Sequence, residues 1–207
     1  PREESLYFLS LYAGSWALTF VLLKRISTQT VFWLGIAFRF VFLIALPSLS
    51  QDFYRFIWDG LLLQNELNPY AYSPNELMTD NALFNPALKS ELFSGMGELS
   101  TQHYSNYPPV NQLGFLFSVK WLPNHLLGTV VIMRLLLILA EVGLFLIAQR
   151  ILRQLDLPTK RLGWYFLNPL IILELTGNLH WEGVMLFFFA LGFWFLLQKR
   201  HSLATLA

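Results

Sequence analysis

The sequence contains no cysteine in its 207 residues. This absence excludes disulfide bonds, thiolate metal sites and a cysteine nucleophile, and it leaves the redox compartment undetermined. Charged residues are also scarce, because they make up 13% of the chain, well below the fraction typical of soluble domains. The formal net charge is only +1, so no strongly basic face indicates a nucleic-acid partner.

Apolar residues are abundant instead. They make up 55% of the chain, which includes 19 phenylalanines and 7 tryptophans. A soluble domain of this size cannot hide so much apolar surface in one core. Aromatic side chains suit lipid-facing and interfacial positions. The composition therefore predicts an all-α protein embedded in a lipid bilayer.

Hydropathy predicts five membrane crossings, because a helix needs about 20 mostly apolar residues to cross a bilayer. The first three are residues 5–23, 31–49 and 126–148. A polar turn at residues 176–180 divides the apolar block 162–197 into two more. Basic clusters follow the first, third and last crossings. Five crossings put all three clusters on one side, which the positive-inside rule makes cytoplasmic.

This arrangement predicts a single transmembrane domain, residues 1–207, and because the sequence stops on a short polar run after an apolar stretch, we expect the domain to be incomplete at its C-terminus. Residues 50–125 form a long external loop region within it. The first residues also lie outside, which requires either an upstream span or a short tail that is translocated. In the external region, residues 51–64 are predicted to form a helix on the membrane surface. Pro108-Pro109 is predicted to start another helix.

Asp52 follows the second crossing directly, so we expect it at the outer membrane boundary, where a carboxylate suits general-base work. Arg55 and Asp59 follow at spacings that place all three side chains on one helical face. The alternative interpretation is an interfacial helix with a solvated Asp–Arg pair that contributes little energy.

Three stretches of the chain resemble a known family. They are Ser50-Gln51-Asp52-Phe53-Tyr54-Arg55-Phe56-Ile57-Trp58-Asp59-Gly60 with Asn68-Pro69-Tyr70, then Tyr104-Ser105-Asn106-Tyr107-Pro108-Pro109-Val110-Asn111-Gln112, and finally Leu167-Asn168-Pro169 with Gly177-Asn178-Leu179-His180-Trp181-Glu182-Gly183. In this order they resemble the external loops of bacterial GT-C-type mannosyltransferases, which use polyprenyl-phosphate-mannose. Members of that family are longer, so the chain resembles their N-terminal half. Many relatives read Gly-His-Asn-Asp where this chain carries its carboxylate later, as Glu182.

The resemblance implies a GT-C-like fold with about five transmembrane helices and short interfacial helices on the external loop. It implies transfer of a sugar, mannose, from a polyprenyl-phosphate donor to an acceptor hydroxyl with inversion. The reaction would take place on the outer face of the bacterial inner membrane. Asp52 would be the catalytic base. The substrate-binding candidates are Arg55, Asp59, His103, Tyr104, Arg134, His180 and Glu182.

No cofactor is implied with certainty. Some relatives use a divalent metal at the acidic loop, so a metal remains an open alternative. Asp52 and Asp59 are two turns apart, roughly 10 Å by helical rise, which is too far for one ion unless the helix breaks.

Four charged residues lie inside the predicted crossings: Arg39, Arg134, Glu141 and Glu174. A charge buried in lipid costs about 3 kcal/mol or more, so each should pair or face a watery cavity. We favour an ion network between helices, such as Arg39 with Glu141 or Glu174. The alternative places Arg134 near the outer end of its helix, gripping the donor phosphate.

Several readings stay open. His103 and His180 are either substrate contacts or interfacial polar residues, and the tyrosines at 70, 72, 104 and 107 fit an aromatic belt better than sugar-stacking platforms. The alternative functions are a transporter or flippase-like protein with charges along its path, and a non-catalytic membrane subunit. The sequence does not identify the acceptor, the oligomeric state or protein partners.

Overall fold

The computed structural model describes residues 5–79 and 83–207, and the regular structure of these residues is helical throughout. The α-helices are α1 (Ser5–Arg25), α2 (Thr28–Phe40), α3 (Asp52–Gln64), α4 (Pro74–Leu77), α5 (Pro86–Gln102), α6 (Pro109–Trp121), α7 (Leu126–Gln154), α8 (Gly163–Phe166), α9 (Pro169–Ile171), α10 (Glu182–Leu197) and α11 (His201–Ala204). A 3-10 helix spans Thr159–Leu162, and a π-helix spans Ile172–Gly177.

The chain divides into two compact units. The first comprises the described part of Pro1–Leu43 together with Leu137–Ala207, and the second is Ile44–Leu136. The second unit contains the whole segment, residues 50–125, that the sequence predicts to be an external loop region. The prediction of one transmembrane domain over residues 1–207 stays a prediction.

Two of the described helices are long and apolar enough to cross a membrane, α1 and α7. A third candidate is a broken pair, Pro169–Gly177 with Glu182–Leu197, whose halves are bent by 111°. The predicted crossings at 5–23 and 126–148 are thus confirmed as long apolar helices. The total of five crossings stays a prediction.

The second predicted crossing, 31–49, is only partly helical. Its helix, α2, begins at Thr28, where the Ser27 side chain accepts a hydrogen bond from Thr30 N, and it ends at Phe40. A turn and irregular chain follow up to residue 50. The apolar run continues to Leu49, but Pro47 disfavours helix at the residue before it and cannot donate a helical hydrogen bond.

The first unit buries a compact apolar cluster formed by Leu23, Val31, Phe145, Phe166 and Leu167. Beside this cluster lies a buried ion pair, in which Arg39 Nη2 donates to Glu141 Oε2 at 2.8 Å. Arg39 Nη1 also donates to the Gly35 and Phe166 carbonyls at 3.0 and 2.8 Å. These bonds confirm the predicted ion network with Glu141 as the partner of Arg39.

The second unit is built around α3, which is almost completely enclosed by protein. The residues Phe53 and Arg55 to Leu62 are all buried, and α3 packs against α5 and α6. A Cβ at Gly60 would lie 2.7 Å from the Phe115 carbonyl oxygen, so the close approach to α6 requires glycine. The prediction that this helix lays its aromatic face on the membrane surface is therefore corrected, because the second unit itself buries that face.

The other predicted helix of this region is confirmed. α6 begins at Pro109, as the Pro108-Pro109 pair predicts. A proline also occupies the first turn of α5, and there the Asn85 side chain accepts hydrogen bonds from Ala87 N and Leu88 N. Both helices follow the general preference for proline and a short polar cap at helix starts.

Candidate functional site

Asp52 is the first residue of α3, and its side chain is exposed. A carboxylate in a first helical turn lies at the positive end of the helix dipole. The start of α3 lies against a kink of α5 at Gly97, whose backbone has φ 77° and ψ 163°. A Cβ at Gly97 would lie 2.7 Å from Nε2 of Gln51. The bend of α5 beside Asp52 therefore depends on glycine for both its dihedral angles and its space.

Arg55 and Asp59 form a buried pair one turn further along α3. Arg55 Nε donates to Asp59 Oδ1 at 2.7 Å. The Nη1 atom of Arg55 donates to the carbonyls of Ser100 and His103 at 2.7 and 2.9 Å. Arg55 is 3% exposed and Asp59 is 0% exposed. The pair therefore fastens the end of α5 to α3, as a buried guanidinium with fixed partners can.

Two more side chains complete the bonding of Asp59. Ser105 Oγ donates to Asp59 Oδ2 at 2.5 Å, and Gln112 Nε2 donates to the same oxygen at 2.9 Å. Burial raises the pKa of Asp59 above its usual range, although Arg55 and the two hydrogen bonds oppose that rise. Ser105 and Gln112 were not singled out as site residues from the sequence. The sequence signal for both residues was that they lie in the stretch Tyr104–Gln112, which carries part of the family resemblance.

Two loops of the second unit, residues 68–76 and 103–108, are tied to each other. Tyr70 OH donates to the Tyr107 carbonyl at 2.6 Å, and Tyr104 OH donates to Glu76 Oε1 at 3.3 Å. Burial, and then the charge of Asp59, raise the pKa of Tyr70. Tyr70 and Tyr104 remain 41% and 54% exposed, so their rings stay accessible.

Glu76 lies in the short helix α4, at the end of the 68–76 segment. Its Oε2 accepts hydrogen bonds from the backbone N–H and the hydroxyl of Ser73 at 2.7 and 3.0 Å, which makes a capping box at the start of α4. The backbone bond from Ser73 is the main cause of a lowered pKa at Glu76. Glu76 was not predicted as a site residue, and only its spacing from Ser73 could have indicated this role.

The remaining candidates of the second unit differ in accessibility. His103 is exposed, and its Nδ1 lies 2.7 Å from the Leu99 carbonyl oxygen. Arg134 is fully buried within α7. The structure thus brings Asp52, Arg55, Asp59, His103 and Tyr104 onto α3 and the loop at the end of α5. Their roles as base or substrate contacts stay predictions.

His180 and Glu182 belong to the first unit, at the break between the π-helix and α10. Glu174 Oε2 accepts from Asn178 Nδ2 at 3.1 Å and lies 3.3 Å from His180 Nδ1. Leu179, between them, is fully buried with φ 61°, a left-handed backbone that is costly for leucine. Glu182 is exposed in the first turn of α10. The Glu174 carboxylate therefore contacts two residues of the same turn, Asn178 and His180. The sequence had also allowed Glu174 as the partner of Arg39.

The first unit also contains an apolar cavity of about 410 Å³. Helices α1 and α2 and the segment from Leu167 to Leu173 line it, with side chains that include Phe8, Tyr12, Leu18, Thr19, Phe42 and Leu173. Its wall is almost entirely hydrocarbon, so it suits an aliphatic or isoprenoid chain rather than a sugar.

Across residues 5–79 and 83–207, no three His, Asp or Glu side chains come together as a group that could hold a metal ion. Asp59 in particular already has a guanidinium, a hydroxyl and an amide as partners. The divalent metal that the resemblance leaves open stays an open alternative.

These features define a helical membrane protein that has apolar helices long enough to cross a bilayer and a second unit rich in polar and aromatic residues. Comparison with known families is specific. The profile described as "Alpha-(1->6)-mannopyranosyltransferase, N-terminal domain" matches residues 6–207. The chain belongs to this family, which confirms the resemblance to an N-terminal part of bacterial membrane mannosyltransferases.

One curated relative is alpha-(1->6)-mannopyranosyltransferase A of Mycobacterium tuberculosis. It is 25% identical over 173 residues, which cover 83% of this chain and 30% of the relative. The chain thus spans about a third of the length of that relative. No solved structure matches this chain.

Proposed function

We propose that this chain is part of a membrane mannosyltransferase that moves mannose from a polyprenyl-phosphate donor to an acceptor hydroxyl, with inversion at the anomeric carbon. The family membership of residues 6–207 is the observation that carries the proposal. The reaction would take place on the outer face of a bacterial inner membrane. The enzyme would be of the GT-C type, with the second unit in its external region.

Asp52 is the proposed catalytic base. It would accept the proton of the acceptor hydroxyl as that oxygen attacks the anomeric carbon, while the lipid phosphate leaves from the opposite side. Its exposure at the start of α3 supports this role, because the base must be accessible to the acceptor hydroxyl.

Arg55 and Asp59 are proposed to act as positioning residues. Their buried bonds hold Ser100, His103 and Ser105, and through them the exposed loop that carries His103 and Tyr104. Donor and acceptor contacts would then come from His103 and Tyr104. His180, Glu182 and Arg134 remain proposed contacts of the donor phosphate or sugar.

The apolar cavity of the first unit is the proposed place for the isoprenoid tail of the donor. Its volume of about 410 Å³ holds several isoprene units, and its hydrocarbon wall offers a long chain the same solvation as the bilayer. A lipid-linked donor needs such a surface, whereas a nucleotide-sugar donor does not.

A transfer assay with defined donors tests the proposal. The full-length protein would receive radiolabelled polyprenyl-phosphate-mannose or GDP-mannose, together with an α-linked mannose oligosaccharide. We expect label in the oligosaccharide from the lipid donor alone, and a new linkage whose anomeric configuration, read by NMR, is opposite to that of the donor. Transfer from GDP-mannose alone would overturn the donor assignment. No transfer with either donor, together with movement of the lipid across proteoliposomes, would favour the flippase reading.

A further inference from the structure

A second, smaller cavity of about 250 Å³ lies in the first unit, beside the C-terminal end of α1. The stems of three cationic side chains, Lys24, Lys160 and Arg161, line it, so that its wall is almost entirely hydrocarbon while their charged ends are exposed at its mouth. Its remaining wall is apolar and partly aromatic, with Phe20, Pro158 and Trp164 among the lining residues. Among residues 5–79 and 83–207, no carboxylate lines the cavity, although the whole chain carries nearly equal numbers of acidic and basic residues.

The fold assembles this cationic group from two distant stretches of sequence. Lys24 is in the last turn of α1, whereas Lys160 and Arg161 are in the 3-10 helix that follows α7. A hydrogen bond from Lys160 Nζ to the Lys24 carbonyl at 3.1 Å joins the two. Like charges brought together in this way repel, so an anion between them would lower the electrostatic energy.

The contacts inside the cavity distinguish the roles of its cations. Lys160 Nζ donates to the Lys24 carbonyl at the C-terminal end of α1, where the helix dipole is negative. The Lys160 charge therefore offsets the negative partial charge that would otherwise repel an anion. The Lys24 ammonium lies 4.0 Å from the centroid of the Phe20 ring, which fixes its position. Arg161 is exposed at the rim. Lys24 and Arg161 are therefore the two side chains best placed to bind an anion.

The aromatic wall indicates where that anion comes from. Phe20 and Trp164 contact each other, with ring centroids 6.0 Å apart, and each remains almost half exposed. Both stand at the basic end of α1, a helix long and apolar enough to cross a bilayer. Tryptophan, lysine and arginine at the end of a crossing helix lie at the depth of lipid headgroups.

We propose that the exposed charged ends of Lys24 and Arg161, at the mouth of this cavity, bind the phosphodiester headgroup of an anionic phospholipid. The planar guanidinium of Arg161 would donate hydrogen bonds to two phosphate oxygens, and the Lys24 ammonium would add a second positive charge. The acyl chains would lie along the exposed apolar side chains of α1. A zwitterionic choline headgroup fits less well, because its quaternary ammonium would approach three cations. This site is separate from the proposed transfer chemistry and does not depend on it.

Binding of short-chain lipids to the full-length protein in neutral detergent tests the proposal. The probes are dioctanoyl phosphatidylglycerol, dioctanoyl phosphatidylcholine and inorganic phosphate, measured by thermophoresis. We expect phosphatidylglycerol to bind at least about tenfold more tightly than phosphatidylcholine. The double variant Lys24→Gln/Arg161→Gln should lose about ten- to thirtyfold in affinity for phosphatidylglycerol, because each basic residue near an anionic surface contributes roughly fivefold and the variant removes two of them.

A matched control removes the same net charge elsewhere in the first unit. Arg153→Gln/Arg200→Gln replaces two exposed cations that do not line the cavity, and it should leave the affinity within about twofold of wild type. Thermal unfolding of both double variants, which alter exposed side chains only, checks that the fold is retained. Equal affinity for the two lipids, or an equal loss in the control variant, would overturn the proposal. Competition by inorganic phosphate at lipid concentrations would also overturn it, since a free anion would then suffice.

Discussion

Replacing Asp59 by asparagine tests whether the second unit is organised around a buried charge. The carboxylate is 0% exposed and accepts from Arg55, Ser105 and Gln112 at 2.5 to 2.9 Å. Asparagine has nearly the same shape but no charge, and its NH₂ group would face at least one of these donors. Removing one partner of a buried ion pair costs about 3–5 kcal/mol. Because asparagine keeps one acceptor, we expect a loss of about 3 kcal/mol, which lowers Tm by about 6–12 °C for a chain of this size.

The control for this prediction is Asp52→Asn, which makes the same chemical change on the same helix. Asp52 is exposed, so its replacement should change stability by less than about 0.5 kcal/mol. Both variants would be purified in detergent and unfolded by heating, with tryptophan fluorescence as the signal. Equal Tm values for the two variants would refute the view that the Asp59 network holds the second unit together.

Three further predictions follow from named contacts. Arg39→Leu should destabilise the protein by about 3 kcal/mol, because it leaves the buried Glu141 charge without its partner. Adding Glu141→Leu should restore part of that stability, because it removes the unpaired charge. If thermal unfolding showed that the two losses simply add, the pairing would be contradicted. Gly97→Ala should cost about 1–2 kcal/mol because of its positive φ, whereas Gly14→Ala, with nothing within 4 Å, should be neutral or slightly stabilising. Glu76 has a lowered pKa, so its capping contribution is present above the ordinary value of 4.5 and is lost as pH falls through the lower folded value. The protection factor of the Ser73 amide, which is its exchange rate relative to the intrinsic rate at the same pH, should therefore fall at acid pH, and in Glu76→Ala it should already be low at pH 7.

Hydropathy and helix-start signals predict the long elements well. The helices α1 and α7 are continuous apolar runs, and Pro109 starts α6 as its position in the sequence indicates. The second crossing was extended too far because hydropathy continues past Phe40 to Leu49, while the helix itself ends at Phe40, and Pro47 disfavours helix only at the residue before it. Apolar content alone does not locate helix ends.

The bonding of the candidate site could be predicted only in part. The spacing of Arg55 and Asp59 correctly indicates a pair on one face of α3. Their burial was not predictable, because amphipathic patterning does not distinguish a helix on a membrane surface from one enclosed by neighbouring helices. Ser105 and Gln112 reach Asp59 from 46 and 53 residues away, and no local periodicity encodes contacts over such separations. The chemistry assigned to Asp52 came from family resemblance, not from spacing.

The most direct test of the proposed function is the turnover number of the full-length enzyme carrying Asp52→Asn, measured with polyprenyl-phosphate-mannose and a mannose oligosaccharide. If Asp52 is the base, kcat should fall by about 10²- to 10⁴-fold, while KM for the acceptor and the Tm stay close to wild type. The wild-type enzyme and an Arg153→Gln variant, which alters an exposed cation outside the candidate site, would set the reference rate. A kcat for Asp52→Asn equal to that reference would contradict the assignment of Asp52 as the catalytic base.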